Sequence, residues 1–318
     1  ALTAANPQAP QPPHIETPLK PHQLAALHAM RTKEHQFQTG YTIPNTQETL
    51  FSSYAFLGDR VGVGKTLMVL GHVSQMATEP LRTPPTGMSN LNPNSTAACF
   101  SLFPTNPTEN LFDTLIVVPH TIYKQWQDTI KTTTLKPLFI KSQRDLDKEN
   151  LVTSLRTSHL TLVSNTLLAQ FMNSVQVARQ LAPRWRRVFY DEADSVKIVS
   201  TCIRPQANMT WFISASYQNL ILANHYYHSY IIRQLQPAFL ETLAPELQEM
   251  VQAHTNAHPN VTFFRTLSFP FFAEQLKSQL SLRGHLIIRS CDEFINQSVT
   301  LPPLVEQIIR CQTPITHQ

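Results

Sequence analysis

The chain has 318 residues, of which 42% are hydrophobic and 14% are charged, and it carries a net charge of +4 at pH 7. This length is enough to bury a sizeable core, and the mild positive charge permits nucleic-acid binding without indicating it. The four cysteines lack the spacing of a zinc site and are too few for a disulfide framework, and no apolar run is long enough to cross a membrane.

The first third of the chain contains two predicted helices and one predicted strand, separated by predicted loops. Residues 1–18 are rich in Pro, Ala and Gln, which predicts a flexible leader. Helical spacing covers residues 24–34, and the apolar run at 54–57 predicts a buried strand that is followed by a helix over 65–76. Residues 78–110 are rich in proline and weakly periodic, which predicts a surface insertion.

Beyond the insertion, short β-branched runs alternate with segments of helical length. We predict strands over 114–118, 138–140, 160–163, 187–190 and 211–213, and helices over 121–131, 146–156 and 167–181. This alternation predicts parallel strands joined by helical crossovers, and strands that are apolar throughout predict a sheet covered on both faces. Beyond about residue 225 the pattern becomes helical and less regular.

The sharpest motif is the octapeptide DRVGVGKT at residues 59–66, which follows a predicted strand and opens a predicted helix. Its glycines would let backbone N–H groups wrap phosphates, and the helix N-terminus would favour an anion. Lys65 would then contact the β- and γ-phosphates of ATP, and the Thr66 hydroxyl would ligate Mg²⁺. The predicted nucleotide contacts in this motif are Asp59, Gly62, Val63, Gly64, Lys65, Thr66 and Leu67. A Gly-rich turn without a ligand is the alternative, because the strict phosphate-loop pattern has glycine where this chain has Asp59.

A second motif, RVFYDEAD at residues 187–194, is an apolar strand that runs into carboxylates. Ligand chemistry in an open α/β sheet lies at the carboxyl ends of the strands. Asp191 would hold Mg²⁺ through water, and Glu192 would orient and deprotonate the attacking water. An exposed acidic turn is the alternative, but the pairing with the glycine-rich motif favours a single nucleotide site.

The order and spelling of these motifs resemble superfamily 2 helicases, and among them the Snf-type translocases of chromatin remodelling and their relatives in large DNA viruses. The segment WRRVFYDEADSVK at 185–197 is similar to the family's W-x-R-V-I-x-D-E-x-H-x-I-K, with Asp194 at the usual His. The glycine-rich motif resembles D-E-x-G-x-G-K-T, with Arg60 replacing an acid. The segment LIVVPHTIYKQW at 115–126 looks like motif Ia, and residues 214–216 look like the coupling motif.

The resemblance implies a RecA-like doubly wound, mostly parallel sheet with helices on both faces, and a helical C-terminal extension. It implies a lobe over 19–235, the extension over 236–300, and a linker over 301–318 toward a second RecA-like lobe. Without that lobe, we expect this segment to hydrolyse ATP slowly, because the missing arginines stabilise the transition state. The implied cofactors are ATP and Mg²⁺.

Further residue roles are implied by the same resemblance. Gln23 would read adenine, and Ser214, Ala215 and Ser216 would couple hydrolysis to movement. The partner would be duplex DNA, bound without sequence preference through its phosphates. The implied nucleic-acid contacts are Pro119, His120, Thr121, Lys124, Ser164, Asn165 and Thr166. Lys131, Arg184, Arg186 and Arg187 are further candidates, with ordinary surface cations as the alternative.

Two other functions stay open at this stage. A DEAD-box RNA helicase is suggested by the letters DEAD at 191–194, although the phosphate-loop and Ia motifs differ from those of that family. A non-catalytic scaffold is suggested by the departures at Arg60, Asp194 and Ser216. The cysteine usage and the N-terminal sequence lead us to expect an intracellular location. The resemblance implies the nucleus, a viral replication site or a virion.

Overall fold

A seven-stranded sheet, in which every neighbouring pair of strands is parallel, organises the chain in the computed structural model. The structure describes residues 1–42, 49–50, 52–76, 111–147, 149–179, 184–199, 201–221, 269–272 and 284–299. The predicted insertion at 78–110, the linker at 301–318 and most of the extension at 236–300 therefore lie outside the described residues.

The strands of the main sheet lie in the order β5-β6-β4-β7-β8-β3-β9. Their bounds are β3 Tyr54–Leu57, β4 Leu111–Val118, β5 Pro137–Ile140, β6 Leu160–Ser164, β7 Arg184–Asp191, β8 Gln206–Ile213 and β9 Ile287–Ile288. A separate antiparallel pair is formed by β1, Tyr41–Thr42, and β2, Thr49–Leu50. The parallel order confirms the predicted crossover architecture.

Helices connect and cover the strands. Their bounds are α1 Pro21–Thr39, α2 Lys65–Met76, α3 Tyr123–Lys131, α4 Gln143–Leu146, α5 Leu151–Thr157, α6 Leu168–Arg179, α7 Gln218–Ile221, α8 Phe269–Phe272 and α9 Asp292–Ser298. A short 3-10 turn, His120–Ile122, leads into α3. No helix in the described part of the chain is long and apolar enough to cross a bilayer.

The sheet is buried on both faces because its strands are apolar throughout. Side chains of successive residues in a strand point to opposite faces. In β4, Leu115 and Val117 join a core that includes α5, α6 and α8, whereas Ile116 and Val118 join a core that includes α1, α2 and α3. Three layers result, with the sheet in the middle, which confirms the predicted doubly wound α/β class.

The C-terminal extension contributes more than helices to the fold. Within it, β9 pairs with β3 in parallel and becomes the edge strand beside the phosphate-loop strand. The periodicity beyond about residue 225 predicts a helical extension, and a run of two isoleucines is too short to predict a strand within it. Phe271 and Phe272 are buried against Tyr190 and Phe212.

The predicted leader makes several contacts with the rest of the fold. Residues 1–18 contain no helix, but Ala9 and Ile15 are buried. The leader is also held by backbone hydrogen bonds, from Leu2 N–H to the Arg289 carbonyl and from Ala9 N–H to the Leu24 carbonyl. A composition rich in proline gave no signal for these contacts, because backbone groups of an extended chain can pair with any neighbour.

A buried ionic cluster lies at the amino end of the sheet. Arg187 donates two hydrogen bonds to the Glu34 carboxylate, at 2.9 and 2.8 Å, and lies 3.4 Å from Asp113. His72 and the Trp211 indole also contact Glu34. Burial alone would raise the pKa of Glu34, but Arg187 and His72 hold that pKa well below its ordinary value. The cluster joins α1, α2, β4, β7 and β8.

We predict that Arg187→Met lowers the free energy of unfolding by about 3–5 kcal/mol, because it leaves Glu34 buried without its main cation. Lys136→Met also replaces a cation by methionine, but at an exposed position, and it should leave the unfolding free energy nearly unchanged. Denaturant titration of both variants measures the difference. Because the folded-state pKa of Glu34 is depressed, its stabilisation should be lost as the pH falls through that pKa. Equal stabilities of the two variants at neutral pH would contradict this account.

Candidate nucleotide-binding and catalytic site

The candidate site lies where parallel strands end. Because all strands of the main sheet point the same way, their carboxyl ends share one edge. The glycine-rich motif follows β3, the acidic motif ends β7, and Ser214 follows β8, which lies between them. The sheet thus brings together three motifs that are far apart in the sequence.

The phosphate loop has the backbone that an anion site needs. Gly62 and Gly64 have φ of 83° and 87°, a region that favours glycine. A Cβ built on Gly64 would lie 2.3 Å from the Gln23 Nε2 atom, so there is no room for a side chain. The Met68 N–H donates to the Gly64 carbonyl at the start of α2. The loop therefore places amide groups at a helix N-terminus, as predicted.

Lys65 reaches back across the loop. Its ammonium donates to the carbonyl oxygens of Asp59, at 2.8 Å, and Arg60, at 3.0 Å. Burial lowers the pKa of Lys65, and four carboxylates act in the opposite direction. They belong to Asp191, Glu192, Asp59 and Asp194. The ammonium is therefore within electrostatic reach of the acidic motif.

Asp191 is buried at the end of β7, with both oxygens hydrogen-bonded. Its Oδ2 accepts from the Trp126 indole at 2.7 Å, and its Oδ1 accepts from the Glu192 N–H at 3.0 Å. Burial raises the pKa of Asp191, and the Trp126 bond acts against this rise. Among the described residues, no cation lies within ion-pair distance of Asp191, so its charge is only partly compensated.

Glu192 is the one non-glycine residue with positive φ, at 47°, in the described part of the chain. Such a backbone costs of order 1–3 kcal/mol and is held by its surroundings. Here the Ala193 N–H donates to the Ile213 carbonyl, and the Val196 N–H donates to the Glu192 carbonyl. Burial, with the neighbouring Asp191 charge, raises the pKa of Glu192. A raised pKa makes a carboxylate a better proton acceptor near neutral pH.

The predicted coupling motif contacts the acidic motif directly. The Ser214 hydroxyl donates to Asp194 Oδ1 at 2.5 Å, and the Ser216 N–H donates to that hydroxyl at 2.9 Å. Ser214 is buried, Ala215 is half-buried and Ser216 is exposed. The structure thus places these residues beside the site, while their coupling role stays a prediction.

Gln23 is tied to the phosphate loop. Its Nε2 donates to the Val63 carbonyl at 3.0 Å, and its Oε1 accepts from the Lys20 N–H at 2.8 Å, which caps α1. Buried His22 lies beside it and contacts the same Val63 carbonyl at 3.2 Å. Each end of the Gln23 amide keeps one further hydrogen-bonding position, so adenine recognition stays a prediction.

The first two residues of the loop are attached to the 284–299 segment, which the sequence analysis did not foresee. Asp59 is buried and accepts from the Ser290 N–H at 2.5 Å, and burial raises the pKa of this carboxyl. Arg60 donates to Asn296 at 2.5 Å and lies 3.6 Å from Asp292. The side chain of the aspartate at the usual glycine position is thus a buried internal acceptor, and the nucleotide contact of Asp59 stays a prediction.

The loops that follow β4 and β6 form one surface through Asn165. Its side chain accepts from the His120 N–H at 3.0 Å and donates to the Lys197 carbonyl at 2.7 Å, and its own N–H donates to the Val118 carbonyl. The Ser164 and Thr166 hydroxyls lie 2.9 Å apart. Of the predicted nucleic-acid contacts, the exposed residues are His120, Thr121, Lys124 and Thr166, and the buried one is Ser164.

Two of the further candidate DNA contacts are wrong. Arg187 belongs to the buried ionic cluster, and Arg184 is buried and donates to Asn208 at 2.8 Å. Both lie at the amino half of β7, away from the edge that carries the motifs. Lys131 is exposed at the end of α3, and Lys124 is exposed and pairs with Asp128 one turn along the same helix.

The residues present fit a magnesium nucleotide. The loop offers backbone amides and one ammonium for phosphates, and across from them lie carboxylates whose charge Lys65 only partly balances. Within the described residues, no group of three or more His, Cys, Asp or Glu forms a metal site. Mg²⁺ in nucleotide sites needs no such cage, because it is held by one or two protein groups, water and the phosphates. Thr66 and Asp191 are the residues that would hold it.

Comparison with known proteins gives a family match. The SNF2-related domain family matches residues 22–216, more than half of the chain. A search of curated proteins found no match.

Two solved structures are similar to the chain at low identity. One is the SWI2/SNF2 ATPase core of Sulfolobus solfataricus in complex with dsDNA, at 14% identity, 92% of this chain, 49% of that chain and a TM-score of 0.48. The other is a nuclease-deletion mutant of the Type ISP restriction-modification enzyme LlaGI with a DNA substrate mimic, at 12% identity, 63% of this chain, 18% of that chain and a TM-score of 0.38. The chain spans less than two thirds of the length of either.

We predict that Gly64→Ala weakens nucleotide binding by about tenfold or more, because Ala disfavours positive φ and its Cβ would displace the Gln23 amide. Gly284→Ala is the matched control, since a Cβ there meets nothing within 4 Å. Titration with a fluorescent ADP analogue gives the affinities, and thermal unfolding shows that both variants are folded. Equal affinities would exclude this loop as the phosphate site.

Proposed function

The chain belongs to the SNF2-related domain family, and we propose that it is the ATP-binding lobe of a DNA translocase. In this proposal, ATP hydrolysis at the edge of the sheet is coupled to movement on duplex DNA. The observation that carries it is the placement of Lys65 within electrostatic reach of Asp191 and Glu192, at strand ends that a parallel sheet brings together. A second RecA-like lobe is the proposed partner for completing the catalytic site.

The phosphate loop would bind the nucleotide through its amides and Lys65. The Lys65 ammonium would exchange the carbonyls of Asp59 and Arg60 for phosphate oxygens, which are stronger, charged acceptors. Bound Mg²⁺ would supply charge neutralisation at the phosphates. Thr66 and Asp191 would hold that ion, and the two hydrogen bonds on Asp191 would fix the orientation of its carboxylate.

Glu192 would act on the attacking water. Its raised pKa suits a base that takes a proton near neutral pH, and its backbone is fixed in a conformation that glutamate seldom adopts. The neighbouring Asp194 is bonded to Ser214 at the end of β8. A movement of Asp194 would therefore displace Ser214. This link supports the role proposed for Ser214, Ala215 and Ser216.

The surface joined by Asn165 is the proposed DNA site. Exposed hydroxyls, backbone amides at the start of α3 and the Lys124 ammonium suit phosphate contacts, which carry no sequence information. Family membership favours duplex DNA over the RNA of a DEAD-box helicase.

We predict that Glu192→Gln retains nucleotide binding and lowers the rate of ATP hydrolysis by roughly 10²–10⁴-fold, since it removes the general base. Glu149→Gln makes the same chemical change at an exposed loop position and should leave the rate unaltered. Single-turnover hydrolysis with radiolabelled ATP, with and without duplex DNA, is sensitive enough for a slow lobe. If the protein binds ATP but the two variants hydrolyse it equally, the chain is a nucleotide-binding scaffold rather than an enzyme.

We predict that Lys124→Ala weakens binding to duplex DNA at every sequence tested and reduces the salt slope by about 1, as expected for the loss of one phosphate contact. Lys136→Ala, just before β5 at the opposite edge of the sheet, should leave the slope unchanged. Fluorescence anisotropy over a range of salt concentrations measures both. Preferential binding to single-stranded RNA would favour the DEAD-box alternative, and an unchanged slope for Lys124→Ala would exclude that side chain from the interface.

A further inference from the structure

Helix α3 follows the loop at residues 119–122, here called the Ia loop, and is hydrogen-bonded to the proposed metal-binding carboxylate. Trp126, on α3, donates its indole N–H to Asp191 Oδ2 at 2.7 Å. Trp126 is 1% exposed and Asp191 is 6% exposed, so water does not compete for this bond. A hydrogen bond to a charged acceptor away from water is among the stronger ones in proteins.

The other two tryptophans show that this bond is not required to bury an indole. Trp185 is as deeply buried as Trp126, yet its N–H has no hydrogen-bond partner. Trp211 donates to Glu34 in the ionic cluster, at the other end of the sheet. The chain therefore tolerates an unpaired indole N–H, and the two paired ones both contact buried carboxylates.

Helix α3 is short and firmly packed. Trp126 is its fourth residue, so its Cα lies about 5 Å along the axis from the first residue of the helix. Tyr123 and Ile130 are buried on the same helix, and the Tyr123 hydroxyl donates to the Leu162 carbonyl at 3.4 Å. The His120–Ile122 turn that precedes the helix is held to Asn165 on the proposed DNA surface. A shift of that loop would thus reach Asp191 through one rigid element.

We propose that Trp126 is a positioning residue, which orients the Asp191 carboxylate for Mg²⁺ and links its orientation to the Ia loop. This inference rests on the proposed function, because it requires that Asp191 serve a magnesium nucleotide. In this role Trp126 would act through Asp191 rather than by binding the metal itself. Partners that orient metal-binding carboxylates in this way typically change metal affinity by roughly 10- to 100-fold when they are removed.

The test compares Trp126→Phe with Trp185→Phe in the full chain. Both changes keep a buried aromatic ring and remove an indole N–H, but only Trp126 donates to the site. For each variant, the affinity for a fluorescent ADP analogue is measured in EDTA and over a range of Mg²⁺ concentrations. We expect Trp126→Phe to bind the nucleotide normally in EDTA and to need roughly 10- to 100-fold more Mg²⁺ for half-maximal effect. Trp185→Phe should follow the wild type.

A second measurement uses the native side chain and does not depend on the stability of Trp126→Phe. The chain has three tryptophans, so indole ¹⁵N labelling gives three resonances that Trp185→Phe and Trp211→Phe assign by elimination. We expect the Trp126 resonance to shift when Mg²⁺ is added to the ADP-bound protein, and to shift again with duplex DNA, while the Trp185 resonance stays in place.

The outcomes separate the two hypotheses. If the wild type does not bind nucleotide, the proposed function fails and this inference fails with it. If the wild type binds magnesium nucleotide, but both variants have the same Mg²⁺ dependence and the Trp126 resonance does not move, only the positioning role of Trp126 is overturned.

Discussion

The common direction of the strands is the constraint on which the candidate site depends. In a parallel sheet every strand delivers its last residue to the same edge, so residues separated by more than a hundred positions can share one electrostatic environment. Lys65 follows β3 and Asp191 ends β7, with β8 between them. Burial at this edge disfavours each charge on its own, raising the pKa of Asp191 and Glu192 and lowering that of Lys65. Opposite charges at the same edge offset part of that cost, and a bound cation with phosphates would offset more.

Glu192 has an unfavourable backbone conformation and Asp191 is a buried carboxylate, so both cost free energy before any ligand binds. Gly62 and Gly64 adopt positive φ at little cost, whereas Glu192 adopts it at a cost that neighbouring hydrogen bonds must cover. Asp191 is fixed from two sides by the Trp126 indole and the Glu192 N–H. A site that is already oriented loses less entropy on binding, which is the usual advantage of a rigid scaffold.

The sequence predicts the helices, strands and motifs of this molecule better than the contacts between distant residues. Apolar runs such as 115–118 and the loop at 59–66 carry periodic or motif signals, and the predicted helix at 65–76 has the bounds of α2. Strand β9 has two residues, too few to show a period, and the bond from Ser290 to Asp59 that follows it joins distant parts of the chain. The bond between Trp126 and Asp191 joins residues 65 positions apart, and no local pattern encodes such a contact. Arg184 and Arg187 are not surface residues, because a strand can bury its cations where carboxylates or amides face them.

Arg60 and Asp194, which differ from the motifs that this chain resembles, each contact other residues of the chain. Arg60 replaces an acid in the phosphate loop, and its guanidinium is bound by Asn296 and Asp292 of α9. Asp194 replaces a histidine, a side chain that can donate a proton, whereas aspartate when ionised can only accept. The Ser214 hydroxyl donates to Asp194 Oδ1 at 2.5 Å, and this bond joins the acidic motif to the coupling motif. Both departures are thus accommodated by contacts within the fold, so they are not in themselves evidence for an inert scaffold.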